Sequence, residues 1–141
     1  MKISFTDLMF QLFFRGILLA TAIHEYGHLL ALRLIGVEGE IRSTVLNAVY
    51  PAHTVTGTDK IIFYGGGGFV QAVAFLLMAV RNKDEENRKI NVWMAVQGLV
   101  YGAFEAFTPR TYWNLGASLG LFLGLFLVMG VIVWKKYEVT P

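Results

Sequence analysis

The chain has 141 residues, of which 55% are hydrophobic and only 16% are charged, and its formal net charge is +2. A soluble domain usually carries about a quarter charged residues, so the composition favours a membrane protein and the length favours a single domain. The small net charge excludes a strongly basic surface and, with it, a nucleic-acid partner. Cysteine is absent, so disulfides and thiolate metal sites are excluded and any metal must be held by His, Asp or Glu.

The first predicted element is an apolar helix over about residues 8–35, interrupted by a few ionisable side chains. About 20 apolar helical residues are needed to cross a bilayer. The segment does not have the form of a cleaved signal, because its apolar pattern continues past Leu30 and no small-residue cleavage site follows a short apolar core. We therefore expect a retained transmembrane helix.

This helix contains the sequence HEYGH, which fits the pattern H-E-x-x-H. His24 and His28 are four residues apart, so they share one helix face and can both reach a single zinc ion. Glu25 can reach a water molecule at the metal, take its proton and later pass that proton to the leaving amine. The alternative is a coincidence on a solvated helix face. The flanking residues are apolar, and ionisable groups within a membrane are costly, so the metal site is the favoured interpretation.

A more polar segment, residues 36–60, gives a weak strand or hairpin signal with Pro51 and Gly57 as breakers. The charged stretch at residues 81–89 is predicted to be a solvated turn between two later spans. We expect a short β-like loop after the first helix.

The second predicted span, residues 61–80, contains the glycine run Gly65–Gly68. The run lacks the Lys-Ser/Thr and the preceding strand of a phosphate-binding loop. It indicates close helix packing, or an unwound helix start beside the active site with Gly67 and Gly68 near the substrate. Gln71 follows within one turn, where it can hydrogen-bond either the substrate backbone or a neighbouring helix.

The third predicted span, residues 90–107, contains one acid, Glu105. A catalytic zinc normally has three protein ligands and a water. At about 1.5 Å per residue, Glu105 lies at a depth similar to that of the two histidines, which makes it the predicted third ligand. An acid exposed to lipid headgroups is the alternative for Glu105, and His53 is another possible ligand although its loop favours solvent exposure. Tyr101 can orient the carboxylate or donate to an oxyanion, or it is simply a buried tyrosine.

The fourth predicted span, residues 113–134, is uncharged and is bracketed by Trp113 and Trp134. Together these elements predict an all-α membrane protein, with about four transmembrane helices in one domain over residues 1–141. The excess of Lys and Arg on one side predicts that both termini are cytoplasmic and that the lipid bilayer is a partner.

HEYGHLLALRLIGVE in an apolar helix, followed by GGGGFVQ and an acid in a third helix, resembles the site-2 protease family of intramembrane zinc metalloproteases. The resemblance covers about residues 17–107. It implies a Zn2+ ion held by His24, His28 and Glu105, with Glu25 as the general base. Gln71 stands where the family usually has an Asn, and Glu105 stands where it usually has an Asp followed by Gly.

The resemblance also implies that residues 39–57 form edge strands, which hold an unwound substrate helix by strand addition. It places the site towards the cytosolic face, whereas the distribution of positive charge places it towards the other face. Three functions follow as hypotheses. They are a zinc endopeptidase that cleaves a transmembrane protein substrate in or near its membrane segment, a non-catalytic subunit of a larger membrane complex, and a metal-ion or proton pathway.

Overall fold

The computed structural model describes residues 5–43 and 47–108, together with the single positions 124, 127 and 128. Over residues 5–108 the described chain forms three helical rods, with a β-hairpin between the first and the second. The first rod joins an α-helix, a π-helical segment and a second α-helix, and its backbone stays helical at both joins. The elements are α1 (Phe5–Gln11), the π-helical segment (Leu12–Leu19), α2 (Ala20–Leu34), β1 (Gly39–Ser43), β2 (Asn47–Pro51), α3 (Gly57–Arg81) and α4 (Glu85–Phe107).

The prediction of about four transmembrane helices is wrong. Within the part of the chain that the structure describes, Gly57–Arg81 is the one helix long and apolar enough to cross a membrane. The first predicted span is divided by the π-helical segment, so α2 has 15 residues and these include HEYGH. The helix α4 opens with the charged sequence EENRK and also carries amides at Asn91 and Gln97. The fourth predicted span lies almost wholly outside the described residues.

The predicted β-like segment is confirmed as an antiparallel hairpin in which Ile41 faces Val49. A glycine turns the chain from α2 into this hairpin. Gly36 has a φ of 73°, and the bonds Gly36 N–H to Arg33 O (3.3 Å) and Val37 N–H to Leu32 O (2.9 Å) close the end of the helix. This is the Schellman arrangement, which requires a left-handed residue and therefore favours glycine. The hairpin consequently folds back beside α2.

Glycines bring the three rods into backbone contact, with α3 in the middle. A Cβ atom on Gly27 of α2 would lie 2.7 Å from Gly66 O of α3, and a Cβ atom on Gly102 of α4 would lie 2.8 Å from Gly68 Cα. Small residues permit this close approach where helices pack in an apolar surrounding. The glycine run is fully helical, so the close-packing interpretation is correct and an unwound helix start is not seen.

The predicted turn at residues 81–89 is shorter than expected, because α4 begins at Glu85. The carboxylate of Asp84 accepts a hydrogen bond from Asn87 N–H at 2.8 Å and so caps the helix. Asp is a favoured capping residue, and Glu85 and Glu86 in the first turn suit the positive end of the helix dipole. The charged residues therefore form the start of a helix rather than a loop.

Two apolar clusters lie on either side of the glycine contacts. One joins the first rod to the C-terminal half of α3 and the N-terminal half of α4, around Phe75 and Met94. The other lies under the hairpin around Leu32 and Phe63. The level between them is occupied by glycine and by polar side chains, and it is there that α2, α3 and α4 form the candidate site.

Candidate metal centre

The two histidines of HEYGH point inward from the regular helix α2 and are both buried. The Nε2 atoms of His24 and His28 are 3.1 Å apart, and their rings meet edge to face with centroids 4.7 Å apart. The four-residue spacing therefore brings the two imidazoles to one point, as the helix geometry requires.

Glu105 reaches the same point from α4. Its Oε2 atom lies 2.9 Å from His24 Nε2 and 3.6 Å from His28 Nε2, and its side chain is only 10% exposed. Ligands at 2.0–2.1 Å from a tetrahedral zinc ion are about 3.3 Å from one another. The three separations, which range from 2.9 to 3.6 Å, match that spacing, so the carboxylate and both imidazoles fit one metal ion.

Gly67 of α3 forms the floor of the site. A Cβ atom at this position would lie 2.7 Å from the Nε2 atoms of both histidines. Any side chain here would fill the space that the three ligand atoms surround, so glycine keeps that space open. Gly68 faces the other way, and a Cβ there would meet Gly98 O and Gly102 of α4.

The two imidazoles differ in the hydrogen bonding of Nδ1, the ring nitrogen that does not face the site. His28 Nδ1 lies 2.8 Å from Phe63 O, and since a carbonyl oxygen only accepts, Nδ1 donates and Nε2 is left to face the site. Metal-binding histidines are generally held in this way. His24 Nδ1 is buried and has no hydrogen-bond partner among the described residues.

Glu25 lies beside the cluster and is half-buried. Its Oε2 atom accepts a hydrogen bond of 3.0 Å from Val49 N–H of β2. One oxygen of Glu25 and one nitrogen of each histidine lie within 4.8 Å of one another, so His24, Glu25 and His28 could hold a metal ion. Glu105 Oε2 lies directly against both imidazoles, whereas Glu25 Oε2 is engaged by Val49 N–H, so we assign Glu105 as the third candidate ligand and Glu25 as the neighbouring carboxylate.

The structure places the other predicted site residues, Tyr101, Gln71 and His53, in three different surroundings. The buried ring of Tyr101 lies edge to face against His24, with centroids 5.0 Å apart. Gln71 is completely buried and donates to Met94 O at 3.1 Å and to Gln97 Oε1, so it bonds the neighbouring helix. His53 is exposed and lines a surface groove with Lys60 instead of joining the cluster.

Backbone contacts to the site were not foreseen from the sequence. Phe63 O and Val49 N–H are main-chain groups, which every residue type carries, so no residue pattern identifies them. The contact between Gln71 and Gln97 did have a signal, because two amides in apolar helices need partners.

Searches of protein families, of curated proteins and of solved structures found no match to this chain.

Proposed function

We propose that this chain is a membrane-embedded zinc endopeptidase of the site-2 protease type. In this proposal His24, His28 and Glu105 hold the zinc ion and Glu25 is the general base. The observation that carries it is the convergence of two imidazoles and one carboxylate, at separations of 2.9 to 3.6 Å, over the backbone of Gly67. A set of two histidines and one glutamate, with a fourth position left for water, is typical of catalytic zinc.

The distribution of polarity supports a membrane location. The helix α3 is long and apolar enough to span a bilayer, while the inner faces of the rods carry buried His, Gln and Asn side chains. Large apolar patches exposed to the surroundings mark contact with lipid or with another protein. The exposed apolar side chains of α3 and α4 include Phe69, Val73, Leu76, Leu77, Val80, Val92, Val96, Leu99, Val100 and Phe104.

The chemistry divides between the metal and Glu25. A zinc ion held there would polarise the scissile carbonyl and acidify a water molecule. Glu25 takes a proton from the attacking water and transfers it to the leaving nitrogen. Its Oε2 atom is held by Val49 N–H, which fixes the carboxylate beside the ligands and leaves Oε1 for the proton. Tyr101 packs against His24 and limits the movement of its ring.

The hairpin offers a place for an extended substrate. Ala52 N–H donates a hydrogen bond to Glu38 O across the hairpin. Hydrogen-bonded pairs alternate with non-bonded pairs in an antiparallel ladder. The register therefore makes Ile41 and Val49 a non-bonded pair, so Val49 N–H does not donate to β1. Val49 N–H instead points out from the edge of β2 that lies opposite β1, towards Glu25. A peptide added to that edge would run past the proposed base, in the manner of strand addition.

The experiment that tests the proposal is Glu25→Gln in the purified full chain, reconstituted in lipid vesicles. Zinc content is measured by elemental analysis, and cleavage is followed on a set of fluorogenic single-span transmembrane peptides. Glu25→Gln should keep its zinc and lose cleavage, while Glu38→Gln, an exposed acid outside the site, should change neither. Full cleavage by Glu25→Gln would exclude Glu25 as the base, and loss of zinc would make it a ligand.

A non-catalytic membrane subunit is the second candidate, and one observation favours it. The Val49 N–H bond engages the Glu25 carboxylate, so the hairpin already occupies part of the space that a substrate would need. This candidate requires a wild-type protein that binds zinc and cleaves none of the peptides. It also requires that a partner complex assemble equally well with Glu25→Gln.

A further inference from the structure

Three buried polar atoms near the site have no hydrogen-bond partner among the residues described. They are His24 Nδ1 of α2, Gln71 Oε1 of α3 and Gln97 Nε2 of α4. A buried polar group without a partner is costly, so three of them need an explanation. A fourth such atom, Trp93 Nε1, belongs to a residue that packs against the apolar cluster around Phe75.

The orientation of both amides follows from one backbone carbonyl. Met94 O can only accept, so the atom of Gln71 that lies 3.1 Å from it must be Nε2. The same Nε2 donates to Gln97 Oε1. This leaves Gln71 with a free acceptor, Oε1, and Gln97 with a free donor, Nε2.

The helix registers place Gln71 and Gln97 one turn from the residues that His24 contacts. The imidazole of His24 lies over Gly67, and Gln71 is the next residue along that face of α3. The same imidazole packs against Tyr101, and Gln97 is the preceding residue on that face of α4. Neighbours on a helix face are about 5–6 Å apart, which is close to the length of two hydrogen bonds joined through one water molecule.

We infer that one buried water molecule joins His24 Nδ1 to the Gln71–Gln97 pair and that these glutamines position the His24 imidazole for metal binding. This inference rests on the metal site proposed above. With Nε2 turned to the metal, Nδ1 carries the proton. The water then accepts from His24 Nδ1–H and from Gln97 Nε2–H, and it donates to Gln71 Oε1. Three hydrogen bonds are typical of a buried water.

Through this water the Gln71–Gln97 pair holds Nδ1 of His24, as Phe63 O holds Nδ1 of His28. The two histidines therefore differ in a way that mutation can detect. The support of His28 is a backbone carbonyl that no side-chain substitution removes, whereas the support of His24 depends on two replaceable amides. Gln71 and Gln97 are positioning residues, because neither contacts the three ligand atoms directly.

The test measures zinc affinity by competition with a chelator, together with the visible spectrum of the cobalt-substituted protein. Gln71→Leu should weaken zinc binding about 10–100-fold, the range found when the support of a metal ligand is removed, and should alter the cobalt spectrum. Gln97→Glu keeps the acceptor for Gln71 Nε2, and its second oxygen can accept from the same water, so zinc affinity should stay within about threefold of the wild type. Asn91→Leu is the matched control. It also removes a buried amide but lies outside the site, so its affinity and spectrum should be those of the wild type.

Wild-type affinity and spectrum in a folded Gln71→Leu variant would overturn the inference. If that variant does not fold, the wild-type protein decides the question through an experimental structure at a resolution that shows waters. Density within hydrogen-bonding distance of both His24 Nδ1 and a Gln71 or Gln97 amide supports the inference, and its absence refutes it. If the wild type binds no zinc, the proposed metal site fails and the positioning role of the glutamines fails with it, and the same density then decides only whether a water joins His24 to the glutamine pair.

Discussion

Two groups of polar side chains lie inside this helical structure, one near each end of α4. Near its start, Arg15 donates to Asn87 Oδ1 at 2.6 Å and to Asn91 Oδ1 at 3.1 Å. We call these three residues the arginine cluster. Here the chain supplies both the cation and the acceptors, so the group is complete without any added ion.

The group near the end of α4 is built differently. His24 Nε2, His28 Nε2 and Glu105 Oε2 all face one point, and each can act as a ligand or a hydrogen-bond acceptor. No Lys or Arg among the described residues pairs with the Glu105 carboxylate. Burial of an uncompensated charge is expensive, and the proposed metal ion would supply the cation that Lys and Arg do not supply here. A buried polar group whose acceptors exceed the donors of the chain is therefore a candidate metal site, whereas the arginine cluster is not.

The largest expected effect is a loss of bound metal, which should follow from substitutions in the histidine group but not from substitution in the arginine cluster. His28→Ala and Glu105→Ala each remove one of three ligands and should purify without stoichiometric zinc. Arg15→Met should retain the wild-type amount, because the arginine cluster contains its own cation. Elemental analysis of the purified variants checks this. Full zinc content in His28→Ala would show that the site is not a metal centre.

A methyl group on the floor of the site should have the next largest effect. In Gly67→Ala the new Cβ lies 2.7 Å from both Nε2 atoms, so the imidazoles must move. Overpacking of this kind costs about 1–3 kcal/mol, which corresponds to a roughly fivefold to 150-fold loss of zinc affinity.

Gly65→Ala is the matched control for that variant. Its Cβ would meet only Ala106 Cβ at 3.8 Å, an ordinary contact. Zinc affinity should therefore stay at the wild-type value, and stability should rise slightly because alanine favours a helix. Equal zinc affinities in Gly65→Ala and Gly67→Ala would contradict the position assigned to the metal.

Loss of the arginine cluster should affect stability and leave metal binding unchanged. Arg15→Met leaves the buried Asn91 amide without its donor, which should lower the free energy of unfolding by about 1–3 kcal/mol. Thermal unfolding in detergent measures the change, with exposed Arg33→Met as a neutral control. A variant that lost zinc while unfolding at the wild-type temperature would mean that the two clusters are coupled.

The smallest expected effect concerns the start of α4. Asp84→Ala removes the cap on Asn87 N–H and should destabilise the protein by about 1 kcal/mol. The exposed neighbour Lys83→Ala should have no measurable effect in the same unfolding experiment. An unchanged stability in Asp84→Ala would show that the charged start of α4 forms without its cap.

Local features of the site followed from the sequence. The HEYGH spacing predicts two imidazoles on one face, and α2 presents them in that way. The meeting with Glu105 was expected from similar depths along two parallel helices, and the structure places that carboxylate against both rings. The predicted number of membrane spans was wrong, because counting apolar residues reveals neither the π-helical segment nor the effect of the amides in α4.

By itself the sequence determined the pairing of His24 with His28, and it indicated a β-like segment after α2 and a special role for the glycine run. Each depends on spacing or on residue types within a few positions, where backbone geometry is regular. Only the tertiary structure decided that Glu105 rather than His53 meets the histidines, that Val49 holds Glu25 and that Gln71 bonds Gln97. These contacts join separate elements, and their geometry depends on where two backbones approach, which no pattern within one helix specifies.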